Sequence, residues 1–259
     1  MGFEKFWGLA DRDWTRSGLT LAEGPLLVRR LLASPLVPEE VLCLPAHEAE
    51  FTGLAAGRCP VRALTPDEME KWAGFAFHRG VVAVAQRAVP LPLERFLSTA
   101  PSAFRLAVAP SLTDPENLGS VFRTALGLGW DAVAVGPRTC DPYSRRTAKV
   151  SMGAVYSHPP VQLPDLPEAL RLLNQSGCLN LALALEPGAT DLEAWLASSE
   201  AAGLAERPVS VWVGNEALGL AADERAVCHR AVVLPMAEGH DSLNAAVAAG
   251  IALYRLRRG

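Results

Sequence analysis

Apolar residues recur along the chain in short unbroken runs separated by amphipathic stretches. Past residue 100 the runs Arg105–Val108, Ala132–Gly136, Leu181–Leu185, Val209–Val213 and Val232–Leu234 have the length and continuity of strands buried on both faces of a parallel sheet. Between them, Leu118–Leu128, Leu166–Gln175, Leu192–Ala202 and Ala221–Cys228 place apolar residues at helical spacing. Thr190 and Glu193 form a capping-box pattern at one helix start, and Gly129 and Gly177 stand where helix ends favour a left-handed residue. This alternation predicts a doubly wound α/β domain, whose ligands sit beyond the carboxyl ends of the strands. Ahead of it, the runs Val41–Leu44 and Val81–Ala85, with helical spacing across Leu26, Leu27, Arg30 and Leu31 and from Met69 to Phe77, predict a smaller α/β unit. The prolines and small polar residues of Val89–Pro92 and Ser98–Ser102 suit a linker, so the expected domains are 1–98 and 99–259.

Composition narrows the function classes. Half of the 259 residues are hydrophobic, enough for a core without staples. No run of about 18 apolar residues predicts a membrane span, and Met1–Trp14 lacks an apolar signal core; a cytoplasmic protein is expected. Cys43, Cys59, Cys140, Cys178 and Cys228 are scattered without metal-ligand spacing, so no metal site is expected and the thiols read as reduced and mostly buried. The net charge is −4, against the usual sign for a nucleic-acid partner. Residues 1–98 carry 11 basic and 12 acidic side chains, and residues 99–259 carry 13 and 16. Any RNA contact must therefore use local patches, of which Arg138, Arg145, Arg146 and Lys149, crowded into one predicted loop, are the clearest; a solvated surface loop is the bland alternative.

Three loops at strand ends carry the candidate chemistry. In the first, Asp114 to Ala125, Asn117 is read as the N-cap of a helix whose buried stripe is Leu118, Phe122, Ala125 and Gly129. Arg123 falls off that stripe, within reach of a phosphate. The second, Gly214-Asn215-Glu216-Ala217-Leu218-Gly219-Leu220, opens with a glycine that permits close backbone approach. It offers Glu216 at a strand's carboxyl end, to fix a backbone amide or a partner's arginine. In the third, Leu234 to Asn244, Pro235 stops the strand, exposed backbone carbonyls and amides suit an adenine edge with Leu234, Met236 and Leu243 as apolar walls, and Asp241 or Ser242 is placed to cap the last helix. Read singly, each loop is equally well a capped helix or a solvated turn.

Taken together, N-L-G-x-x-x-R-T-A, V-G-N-E-x-x-G-L and L-P-M-x(5)-S-L-N resemble, in order and spacing, the three signature motifs of the SpoU (TrmH-like) family of RNA 2′-O-ribose methyltransferases, within the SPOUT superfamily. One departure is Gly239, three residues after Met236 where many relatives place it two after; Met236 and Ser242 keep their usual separation. More loosely, Leu21–Val28 and His78–Val84 look like the start and end of the L30e-like substrate-binding domain of larger members. The resemblance implies a parallel-sheet domain with a carboxyl-terminal trefoil knot, binding S-adenosyl-L-methionine and RNA, and a homodimer formed through the terminal helix. It assigns Gly214, Leu234, Met236 and Leu243 to the cofactor, and Asn117, Arg123, Glu216, Ser242 and Asn244 to the catalytic, RNA-facing set.

The implied reaction is in-line attack of a ribose 2′-hydroxyl on an activated methyl group, in which positioning supplies much of the acceleration. A guanidinium with a pKa above about 12 stays protonated. Holding a phosphate and stabilising developing alkoxide charge therefore suits Arg123 better than a base role, and Ser242 and Asn244 are left to orient the hydroxyl. The leading domain favours large-subunit ribosomal RNA as substrate by analogy. Transfer RNA is the alternative within the same chemistry, and a catalytically silent RNA-binding protein the alternative outside it. A nicotinamide-dependent dehydrogenase fits the fold class but not the missing G-x-G-x-x-G.

Overall fold

The computed structural model describes residues 16–73, 79–237 and 242–258. In chain order they form β1 (Leu19–Glu23), α1 (Pro25–Leu32), β2 (Pro38–Cys43), α2 (Glu48–Ala55), β3 (Val61–Ala63), α3 (Pro66–Ala73) and β4 (Val81–Gln86). There follow β5 (Leu91–Pro92), α4 (Leu93–Thr99), β6 (Arg105–Ala109), α5 (Pro115–Gly127), β7 (Ala132–Val135), α6 (Arg145–Val150) and α7 (Ala154–Ser157). The rest is β8 (Val161–Gln162), α8 (Leu166–Gln175), β9 (Leu179–Leu183), β10 (Thr190–Asp191), α9 (Leu192–Leu196), β11 (Val209–Val213), α10 (Ala222–Ala226), β12 (Arg230–Val233) and α11 (Ala245–Leu256). Met1–Trp14, Phe77, His78, Gly239 and Asp241, which entered the sequence reading, lie outside the described residues.

Two compact units result, one of residues 1–89 with 141–159, the other of 90–140 with 160–259. The first has a four-stranded sheet of order β1-β4-β2-β3, antiparallel except between β2 and β3. Leu19, Leu21, Leu42, Met69, Trp72, Val82 and Val84 form one core cluster on it. Helices α6 and α7 join this unit although they lie far along the sequence. The Thr20 hydroxyl donates to the Tyr143 carbonyl at 3.0 Å, the Tyr156 hydroxyl to the Leu21 carbonyl at 3.0 Å, and Arg87 meets Asp141 at 2.7 Å.

The division differs from the expected break at 98/99 in two ways. The chain leaves the first unit at Val89, and Ser98–Ser102 is no linker: it begins in the last turn of α4, whose Leu93 and Phe96 are buried in the second unit's core. The segment 141–159 returns to the first unit. Charge is redistributed accordingly, to 13 basic and 12 acidic side chains in the first unit and 11 and 16 in the second.

The second unit is an α/β fold on an eight-stranded, all-parallel sheet of order β10-β12-β9-β11-β6-β7-β8-β5. Strands β6, β7 and β11 are buried along their whole length, as covering helices require. Polar residues in the central strands satisfy one another: the Ser210 hydroxyl donates to Asn180 Oδ1 at 2.8 Å and accepts from Trp212 Nε1 at 2.9 Å. Arg105 at the start of β6 is also fully buried. Its guanidinium donates to the carbonyls of Leu256 (2.7 Å), Leu204 (2.7 Å), Arg207 (2.9 Å), Ala103 (3.1 Å) and Phe104 (3.3 Å), tying the end of α11 to the sheet. Helix α11 lies along α5.

Several local expectations are corrected. Helix α9 is capped by Asp191, which accepts from the Ala194 amide at 2.8 Å; Thr190 is paired in β10 and forms no box. The same helix ends at Leu196 rather than Ala202. In α5 the stripe Leu118, Phe122 and Ala125 is buried, but Gly129 is exposed because the helix has already ended. Gly129 and Gly177 do take the left-handed conformation, at φ +79° and +70°.

Candidate active site

Chain connections run outward from β6 through β7 to β8 on one side, and β11, β9 and β12 lie on the other. The β6/β11 boundary is thus the switch point of the sheet, where loops diverge and leave a crevice. The loop after β6 reaches α5, whose N-cap is Asp114, accepting from the Glu116 amide at 2.9 Å, with Pro115 in the first helical position. Asn117 is therefore not the cap. It lies in the first turn, only 5% exposed, which frees its amide for a tertiary role. Its Nδ2 donates to Glu216 Oε1 at 2.9 Å, and its Oδ1 accepts from Asn244 Nδ2 at 2.9 Å. Asn244 in turn is the N-cap of α11, accepting from the amides of Ala246 (2.9 Å) and Val247 (3.2 Å), the role expected of Asp241 or Ser242. A cap side chain must directly precede the first helical residue, and Ser242 lies too far ahead.

Glu216 closes the cluster. Besides Asn117 it accepts from the Asp114 amide at 3.3 Å and the Thr113 hydroxyl at 3.4 Å. Partial burial works to raise its pKa, but hydrogen bonds from Asn117, from the backbone at Glu216 and Asp114 and from Thr113 together outweigh it, and the carboxyl is held below its ordinary value. The carboxylate is the stable form at neutral pH. Asn215 holds the loop that presents it: its Oδ1 accepts from the Ala217 and Leu218 amides at 2.9 and 3.2 Å, and its Nδ2 reaches Thr113 Oγ1 at 2.9 Å. Its backbone exchanges two 2.9 Å hydrogen bonds with Gly219. The tight loop brings Gly219 and Leu220 so close to Gly214 that a Cβ there would stand 2.2 Å from their backbone atoms.

Next to the cluster is a cavity of about 300 Å³ beyond the carboxyl ends of β9, β11 and β12, at the small end of the roughly 300–1,000 Å³ range of ligand sites. Gly214, Leu234, Met236 and Leu243, the four expected cofactor residues, all line it, as do Glu216 and Ser242. Leu183, Val213 and Val233 add to its apolar walls. Leu234–Ala237 runs outside any helix or strand, so backbone amides and carbonyls lie beside those walls. Apolar faces beside backbone outside regular structure suit the adenosine of S-adenosylmethionine, and the residues present fit that group.

Arg123 lies on the exposed side of α5, and among the described residues no hydrogen bond or ion pair joins it to the cluster. The four expected RNA-contact residues do not share a loop. Arg138 belongs to the second unit, paired with Glu224 at 2.7 Å and within 3.8 Å of Asp223. Arg145, Arg146 and Lys149 lie on α6 in the first unit, where Arg145 is hydrogen-bonded to Glu23. Arg146 and Lys149 are exposed.

Sequence reasoning passed over Thr113 and assigned no role to Asn215. An Asn followed by two residues and then Leu-Gly is a turn-forming pattern and was a usable signal for the latter; Thr113 had none. Burial pushes the Cys178 thiol up to about 12 and also raises Cys43, Cys59 and Cys228.

A family model described as the SpoU rRNA Methylase family matches residues 105–254. An uncharacterised tRNA/rRNA methyltransferase of Mycobacterium tuberculosis is 36% identical over 245 residues, covering 94% of this chain and 82% of the relative. The 23S rRNA (guanosine(2553)-2′-O)-methyltransferase RlmP of Bacillus subtilis is 29% identical over 246 residues, covering 95% and 91%. Among solved structures, the AdoMet-bound rRNA methyltransferase from Sinorhizobium meliloti superposes with a TM-score of 0.78 at 23% identity, covering 96% of this chain and 90% of that one, and so shares its fold.

Proposed function

Since the chain belongs to the SpoU rRNA Methylase family, we propose that it methylates a ribose 2′-hydroxyl of structured RNA from S-adenosylmethionine, with large-subunit ribosomal RNA as the substrate. The observation that carries this is the Asn117–Glu216–Asn244 cluster standing beside a cavity lined by all four expected cofactor residues. When bound, S-adenosylmethionine supplies a methyl group already activated by its sulfonium, so the protein's task is placement. Gly214, Leu234, Met236 and Leu243 hold the cofactor. Arg123, exposed and uncommitted to the cluster, anchors the target phosphate and stabilises charge developing on the attacking oxygen. Asn244 spends its amide on the α11 cap and on Asn117, so it fixes the cluster; orienting the hydroxyl falls to Ser242.

The name of the Bacillus subtilis relative, matched across both units, supports ribosomal RNA; transfer RNA stays open through the tRNA/rRNA relative. The first unit is read as the L30e-like RNA-binding domain, with Arg146 and Lys149 of α6 facing the RNA. The chain past β12 is read as the trefoil knot. Val247, Ile251 and Tyr254 form an exposed apolar stripe on α11, 52%, 42% and 50% exposed, which suits a homodimer through that helix. Among the described residues no helix is long and apolar enough to cross a membrane, in keeping with a cytoplasmic site of action.

Calorimetric titration with S-adenosylmethionine tests the reading. One site per chain is expected, and Gly214→Ala, whose Cβ would collide with Gly219 and Leu220, is expected to remove it. A wild-type protein that binds RNA but no cofactor would overturn the enzymatic reading in favour of a silent RNA-binding protein.

A further inference from the structure

We propose that Glu224, together with Ser111 and Arg138, is a positioning residue for the reaction: it locks the loops after β6, β7 and β11 together and so sets where Glu216 and Asn117 stand. The inference rests on the methyl-transfer reading above. Glu224 is the third residue of α10, and its side chain is completely buried. A cap for so short a helix needs only an exposed Ser or Asp, whereas a buried carboxylate must be held by several donors to be tolerated. Those donors come from three different strand-end loops. The Ala221 amide, ahead of α10, donates to Oε2 at 2.7 Å; the Ser111 hydroxyl, after β6, donates to Oε2 at 3.2 Å; Arg138 Nη2, after β7, donates to Oε1 at 2.7 Å.

From this hub a hydrogen-bonded path leads to the cluster. Ser111 also accepts, through its carbonyl, from Asn215 Nδ2 at 3.4 Å; Asn215 Nδ2 holds Thr113 Oγ1, and Thr113 and the Asp114 amide donate to Glu216. The loops after β6 and β7 are in backbone contact as well: a Cβ on Gly136 would stand 2.3 Å from the Pro110 carbonyl oxygen. The loop bearing Thr113 and Asp114 is thus held at Glu224 on one side and offers its donors to Glu216 on the other. Glu224 lines none of the cofactor cavity, so it acts only through the loops.

The test compares Ser111→Ala, Glu224→Gln, Thr113→Val and the Ser111→Ala/Thr113→Val double variant in the full chain. Readouts are kcat, KM for RNA, Kd for S-adenosylmethionine and amide hydrogen exchange over residues 110–117. Displacement of about 1 Å can lower turnover by roughly 10²-fold, so a fall in kcat of about tenfold is expected for Ser111→Ala and Glu224→Gln. Kd should stay within about twofold, exchange in 110–117 should speed up, and the double variant should be no slower than the slower single one. Wild-type kcat in a folded Ser111→Ala protein overturns the proposal, and so do losses that multiply in the double variant or appear equally in Kd. If Glu224→Gln does not fold, Ser111→Ala decides. A wild-type protein that turns over while the variants match it refutes this inference alone; a wild-type protein without methyl transfer removes the functional reading and this inference with it.

Discussion

Asn117→Asp keeps the shape of a buried side chain and reverses one interaction. In the wild type, Nδ2 donates to the Glu216 carboxylate at 2.9 Å, a hydrogen bond to a charged group of about 1.5–3 kcal/mol. In the variant two carboxylates face each other at that distance. Their repulsion is about 6 kcal/mol at an effective dielectric of 20 and about 1.4 kcal/mol at 80, and Glu216, partly open to solvent, lies between these limits. Glu216 is exposed enough to lie nearer the solvent limit, so at 1.36 kcal/mol per pKa unit the pair's upper titration step rises by roughly one unit or a little more. In the wild type Glu216 is held below its ordinary value, so it stays charged across pH 5.5–8. In the variant the proton-bridged form, which restores the donor, exists only below the raised step. Methyl transfer measured against pH should therefore show the variant slower by about 10²-fold at pH 8 and closer to wild type as pH falls to 5.5. Asn117→Leu, which cannot hold a proton there, should be slow throughout. A variant-to-wild-type ratio near one at pH 8, or flat with pH, would refute the reasoning.

Three further outcomes follow from other parts of the fold. Arg123→Ala should leave cofactor affinity near normal and lower kcat by about 10²–10³-fold, as loss of a donor to developing charge does; full turnover would remove it from the site. Arg105→Leu should cost about 3 kcal/mol or more, because buried carbonyls at both ends of its cage lose their donor; an unchanged urea midpoint would contradict the cage's importance. Ile251→Glu places a charge in the exposed stripe of α11 and should halve the mass seen by sedimentation equilibrium, whereas a wild-type monomer would dispose of the dimer.

Much of the second unit was legible in the sequence because strands buried on both faces leave unbroken apolar runs: Val209–Val213 is bounded as β11 is, and Leu166–Gln175 as α8 is. The second motif segment was legible as a loop, the first proved to be mostly helix α5, and the cavity residues of the second and third came out together. What the sequence hid was which polar side chain meets which. Asn117 reads as a cap because Asn favours caps, yet Asp114 three residues earlier already fills that role and Asn117 turns to Glu216 instead. Arg138 reads as part of an RNA-contact patch, but its carboxylate partner lies 86 residues away, where no local pattern reaches. The return of 141–159 to the first unit was equally hidden, since Thr20–Tyr143 and Leu21–Tyr156 contacts join segments more than 120 residues apart. Short strands such as β5 and β8, two residues each, carry too little pattern to be seen.

The most direct measurement is transfer of a labelled methyl group from S-adenosylmethionine to unmodified large-subunit ribosomal RNA and, in parallel, to bulk transfer RNA, followed by digestion to nucleosides. A 2′-O-methylated nucleoside from the ribosomal RNA, absent when Arg123→Ala replaces the wild type, is the predicted result. Label on a base rather than a ribose, or no transfer to either RNA by protein that binds the cofactor, would contradict it.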